Sequence, residues 1–288
     1  MVVVLPERGN SSADLTLTVP RSLKEMVLET HGGGVEVYDL DGAVQAESGG
    51  GRIQMDQIGG NAVARTGGGE IRLGRVNGVV KCLSGGGTIS VERVGGEAWF
   101  ETAGGEIFVR EAGGPVRAST GGGNIQVNRA ASNVTAHTAG GLIDVRHAGG
   151  LVIAETSGGS IEIAAAHGVR CESAAGAIRL RGVSGQLRAS TAAGDIVTEL
   201  LRNLEDSFLT TASGDIVVFI PSNLAIRIRA QSESAGWGKI VSDFPEIRVN
   251  SADVSRTRPL IAEGELNGGG PLLRLSASNG TIYLRRQR

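Results

Sequence analysis

Short runs of alternating apolar and polar residues recur along this chain, each ending in a glycine-rich break. The first apolar residue after successive breaks is Val35, Ile53, Ile71, Ile89, Ile107, Ile125, Ile143 and Ile161, always 18 residues apart. Ile178, Ile196 and Ile216 follow at steps of 17, 18 and 20. Alternation at period two predicts strands with one buried face. Each 18-residue unit divides into two nines. One half reads like Gly122-Gly123-Asn124-Ile125-Gln126-Val127, the other like Gly113-Gly114-Pro115-Val116-Arg117-Ala118. A short strand and a corner, twice per unit, make one coil of a solenoid.

No coil can bury its own apolar face, so the coils must stack, about 4.8 Å apart. Adding 18 reads off the expected inward columns. Val44, Ala62, Val80 and Ala98 begin one, and Ala46, Ala64, Cys82 and Phe100 begin a second. A third carries hydroxyls, from Ser48 and Thr66 to Thr138 and Thr156, just before a glycine corner. A hydroxyl there can bond turn backbone that would otherwise lack a partner. The glycines supply either positive φ or the close approach of a sharp corner. A period of nine excludes the hexapeptide helix, and propeller blades need units of about 40 residues.

The expected fold is therefore all-β, a parallel β-solenoid (β-helix or β-roll) with 18-residue coils of two nine-residue strand-turn units, capped at both ends. Residues 1–25 form an N-terminal strand or cap, in which Asp14–Val19 (DLTLTV) covers the first open edge. Residues 26–220 are the repeats, starting at Met26, Leu28 and Thr30. Residues 221–288 belong to the same domain as its last coils and a modified cap. There AIRIRAQS, GKIVSDF, EIRVN and LIAEGEL read as irregularly spaced strands, and Leu273/Leu275 with Ile282/Leu284 restore the nine-residue step.

Composition narrows the function classes. Glycine numbers 46, proline 7, and aromatics are 3% of 288 residues, so a thin core of Val, Ile, Leu and Ala is expected. A net charge of −2 with dispersed basic residues argues against a nucleic-acid partner. No apolar run is long enough to span a bilayer. The apolar run that opens MVVVLPERGN is too short for a signal-peptide core. Two cysteines make no disulfide framework, and both fall in one inward column.

Candidate chemistry is sparse. Calcium-binding rolls carry aspartate at the sixth position of GGxGxDxUx. That position is apolar here, as in Gly86-Gly87-Thr88-Ile89-Ser90-Val91, and Asp195 and Asp215 form no ladder. His31, His137, His147 and His167 fall at separate places, so no metal or other cofactor is expected. Outward columns mix signs, and neighbours such as Glu92 and Arg110 are expected to pair across coils. One outward column places Trp99 between Lys81 and Arg117. Cation–π packing accounts for the trio, and a carbohydrate or protein contact at Lys81, Trp99 and Arg117 is the candidate site.

The recurrent GGxIxVxxxGGxVxAxT unit resembles the bacterial adhesin-like family of β-strand-repeat proteins, a family of unknown function related to the toast-rack domains. The tail, SGDIVVFIPSNLAIRIRAQSESAGWGKIVSDFP followed by GELNGGGPLLRLSASNGTIYL, resembles that family's closing pattern. The resemblance implies a cell-envelope or extracellular location, since members are usually exported or membrane-attached, and it brings no catalytic residues. The expected function is a non-enzymatic surface, adhesin-like or scaffold module whose partner is a protein or a cell-surface polysaccharide. The alternatives are an interaction module in membrane-stress signalling and, less favoured, a polysaccharide-active β-helix enzyme.

Overall fold

The strictly spaced isoleucines stack directly on one another. In the computed structural model, which describes residues 15–233, 239–250 and 259–287, Val35 pairs in register with Ile53, Ile53 with Ile71, and Ile71 with Ile89. The column continues without a break to Ile161, Ile178, Ile196 and Ile216. The chain is all-β, a parallel β-solenoid of about 11 turns at 18-residue spacing. Two strand faces close each coil. The first carries strands such as Ala98–Thr102 and Val116–Thr120, the second strands such as Ile107–Ala112 and Ile125–Ala130.

The core is the space between the faces. Ile71, Ile89, Leu73 and Val91 come from the second face, and Val80, Ala64 and Cys82 from the first, each with no exposed surface. Burying one such Ile or Leu contributes about 1.5–3 kcal/mol relative to exposure. The alanine column keeps the layer thin. Phe100 interrupts it and is fully buried between Cys82 and Ala118.

Close approach, and not unusual φ, explains corner glycines such as Gly87, Gly105 and Gly123. A Cβ on Gly105 would overlap the carbonyl oxygen of Gly87 one coil before, whereas a Cβ on Gly104 would meet nothing within 4 Å. The hydroxyl column sits beside this contact. Thr120 Oγ1 donates to Gly105 O at 2.8 Å and accepts from Gly123 N–H at 3.2 Å. Thr138 repeats the pattern with Gly123 O at 2.9 Å and Gly141 N–H at 3.1 Å. Each hydroxyl thus joins two coils and satisfies backbone groups that the turn leaves unpaired.

Where the spacing departs from 18, the backbone changes character. The 17-residue step coincides with a register shift between His167 and Val169, at Gly168 with φ of 90°. One corner is no turn at all. The strand Ile178–Ala193 runs through both faces, bending at Gly182 and Gly185, both with positive φ.

The N-terminal end differs from the expected cap. The DLTLTV strand does not form: Asp14 lies outside the described residues, residues 15–20 have no strand, and Leu15 and Leu17 are exposed. The chain instead turns at Pro20, whose carbonyl accepts from Leu23 N–H, and Arg21 and Lys24 accept from Asp41 and Ala43 N–H. These bonds bring the segment onto the corner before it reaches the outer edge of Glu25–Thr30. That strand pairs with Ala43–Ser48 and starts the rungs at Met26, Leu28 and Thr30.

At the other end the chain order is broken. Leu272–Asn279 stacks directly on Ser207–Ser213, and Ile226–Ser232 stacks on Leu272–Asn279 from the far side. The C-terminal coil is therefore inserted between two coils that precede it in sequence. On the second face Thr281–Arg286 likewise lies between Ile216–Ile220 and Lys239–Ser242. Leu260–Leu266 then pairs antiparallel with Ile226–Ser232 and with Arg248–Asn250, a change of direction that ends the parallel stack. Asn267, with φ of 50°, bonds the carbonyls of Ser222 and Leu224 and fixes the turn into the inserted coil.

Candidate functional site

Alternation points every second residue of the first face to solvent, so outward side chains also form columns. Lys81, Trp99 and Arg117 occupy three successive rungs of one such column. Lys81 Nζ lies 4.5 Å from the centroid of the Trp99 ring, and Trp99 is 41% exposed. Arg117 departs from the expected sandwich. Its guanidinium turns to Glu97, with Nε 3.8 Å from the carboxylate. One cation stacks on the indole and the second is held beside it.

The neighbouring outward column places Ser119, His137 and Glu155 on successive rungs. These are the residue types of a hydrolytic triad. His137 Nδ1 reaches Glu155 at 3.2 Å, but among the described residues no hydrogen bond joins Ser119 to His137. The column continues through Glu172, Ser190 and Thr210 along an open groove of about 740 Å³.

Several carboxylates of the second face are paired with cations. Glu92 and Arg110 pair at 2.8 Å, as the column spacing implies, and Arg93 and Glu111 at 2.7 Å. Asp144 and Glu162 sit on adjacent rungs of the second face. Burial and the Glu162 charge push the Asp144 carboxyl above the usual range, opposed by Arg146. Arg179 holds Glu162 at 2.9 Å. Such solvent-screened pairs add little to stability, consistent with a solvated face.

Asp195, Asp215 and His167 have structural partners. Asp195 accepts from Asp215 N–H at 2.8 Å, and Asp215 accepts from Thr281 N–H at 2.7 Å. Each carboxylate supplies an acceptor for a corner N–H of the next coil. His167 Nδ1 lies 3.0 Å from Ser184 Oγ. Among the described residues no group of three or more His, Cys, Asp or Glu could hold a metal ion.

One cluster escaped sequence reasoning. Continuing the Trp99 column past Thr135 and Ile153 reaches Arg170, Arg188 and Phe208. The next rungs are Arg274 and then Arg229, reversed from their chain order. Arg170, Arg188 and Phe208 follow the 17, 18 and 20 steps of the isoleucine column, but the irregular 220–288 spacing gives no register for Arg274 and Arg229, which only the inserted coil reveals.

No helix of the described residues is long and apolar enough to cross a membrane. No curated protein and no solved structure matches this chain. The Toastrack DUF4097 family model matches residues 108–256, and the coils before it continue the same registers. The stacked coils and this match agree, and the chain belongs to the Toastrack DUF4097 family, a family of unknown function.

Proposed function

We propose that this protein is a non-enzymatic surface module of the cell envelope, adhesin-like or scaffolding, which binds through side-chain columns on its first face. The observation that carries this reading is the Lys81–Trp99 stack: an indole 41% exposed and held by a cation on a rigid strand. A preordered aromatic of this kind gives contact area at small entropic cost. The partner is a protein or a cell-surface polysaccharide, and no nucleic acid is involved.

Fractionation of the source cells and pull-down with the full chain test the reading. Recovery in envelope fractions, with a partner lost on Trp99→Ala, is the expected result. Capture of a single membrane stress protein through the same face would favour the signalling alternative. The Ser119–His137–Glu155 column supplies the decisive control. Ester or glycan hydrolysis that disappears in Ser119→Ala would overturn the non-enzymatic reading.

A further inference from the structure

The row Arg170, Arg188, Phe208, Arg274 and Arg229 fills five consecutive rungs of one outward column. All five side chains are exposed, and Phe208 is 44% exposed. At about 4.8 Å per rung the row spans roughly 19 Å, with the phenyl at its centre. The outer cations are partly neutralised: Arg170 bonds Glu172 at 2.9 Å and Arg229 lies 3.2 Å from Glu263. Arg188 Nε bonds only the neutral Gln186 side chain, at 3.0 Å. Among the described residues neither Arg188 nor Arg274 forms an ion pair.

We propose that this row binds a linear, carboxylated polysaccharide. The idea rests on the surface-module reading above and names its ligand class. Arg188 and Arg274, which form no ion pair among the described residues, stand two rungs apart, about 10 Å, on either side of an exposed ring. Guanidinium groups recognise carboxylates with directional, charge-assisted hydrogen bonds, and the ring offers an apolar platform for one sugar face. Ser190, Thr210 and Ser276 form the adjacent outward column, a line of hydroxyls for sugar hydroxyls. The sparse charge decides between polyanions. Nucleic acid carries a phosphate at every nucleotide and its binding sites accumulate cations and stacking rings. Here Glu172 and Glu263 neutralise the flanks, and a chain with spaced carboxylates fits better.

Isothermal titration of the full chain with hyaluronate oligosaccharides of graded length, which carry a carboxylate on every second sugar, tests the site. Single-stranded DNA, polyglutamate and neutral dextran serve as comparisons. Binding that weakens with salt and falls by at least about tenfold in Arg188→Gln/Arg274→Gln is the expected result. Phe208→Ala should weaken it too, while Arg110→Gln on the opposite face leaves it unchanged. Circular dichroism confirms that each variant keeps its β-signal. The proposal is overturned if hyaluronate does not bind, if the double variant binds as well as the parent, or if DNA or polyglutamate binds more tightly. Failure of the surface-module reading is separable, because it appears as cleavage of the polymer or loss of envelope location.

Discussion

Cys82 and Cys171 stand in the same inward column with five rung steps between them, through Phe100, Ala118, Ala136 and Ala154. Five steps of about 4.8 Å separate them by roughly 24 Å, beyond the roughly 7 Å Cα limit for a disulfide. Burial pushes both thiols far above their ordinary pKa. Both cysteines should resist alkylation at neutral pH in the native protein and react only after unfolding. Mass spectrometry checks this, and a native Cys82–Cys171 disulfide would contradict the register.

Phe100 is the one aromatic in the alanine column and is fully buried. Its neighbours Cys82 and Ala118 are too small to fill the space it leaves. Phe100→Ala should destabilise the protein by about 3–5 kcal/mol, read by chemical denaturation. A loss below about 1 kcal/mol would mean that the faces close over the gap.

Gly104 and Gly105 are adjacent, yet their neighbourhoods differ. A Cβ on Gly105 would strike the Gly87 carbonyl, and one on Gly104 points into open space. Gly105→Ala should cost about 1–3 kcal/mol, and Gly104→Ala should lie within about 0.5 kcal/mol of the parent. Equal melting temperatures for the two variants would refute the close-approach account of the corner.

Asp243 accepts from Arg286 N–H at 3.2 Å and Arg285 Nη1 at 2.9 Å. The Arg286 backbone bond, then the Arg285 side-chain bond, holds its carboxyl below the usual range. Its folded pKa lies below its unfolded pKa, so its contribution is complete above the unfolded value and fades as pH falls through the folded one. Asp243→Asn should therefore loosen the last coil at neutral pH and differ less from the parent in acid. Hydrogen exchange at Lys239–Ser242, followed from pH 7 to 3, reads this; a difference that grows in acid would refute it.

Removing residues 221–288 strips the strands that stack on Ser207–Ser213 and Ile216–Ile220. The body should retain its β-signal because coils contact their neighbours. Its freed edge should recruit other chains, so light scattering should report oligomers or fibrils. A monomeric product with full β-signal would show that residues 221–288 do not protect the stack.

The body of the stack was legible because its register is arithmetic. Adding 18 to Ile53 gives the residue above it, and the same sum found the Glu92–Arg110 pair and the Lys81–Trp99 stack. Arithmetic fails where coils are not taken in chain order. Phe208 and Arg274 are neighbours across 66 residues, and nothing in the spacing announces it. The N-terminal error is of another kind. DLTLTV has strand alternation, but alternation only says that a strand is possible, and a strand needs an edge within reach. Pro20 and the Arg21 and Lys24 carbonyls commit the chain to the corner first. Arg117 was misplaced because a column gives rung order, whereas Glu97 competes for the guanidinium from a corner.

The hydroxyl that joins Gly105 to Gly123 has an identical counterpart one coil later. Excising residues 105–122, which is 18 residues, would bring Gly123 to the place of Gly105 and leave Thr102 facing the same donor and acceptor. No bond in the corner records how many coils lie on either side. The cross-section is fixed by chemistry while the length is not, so a gene can lengthen or shorten this rod by whole coils and carry the outward columns along as interchangeable segments.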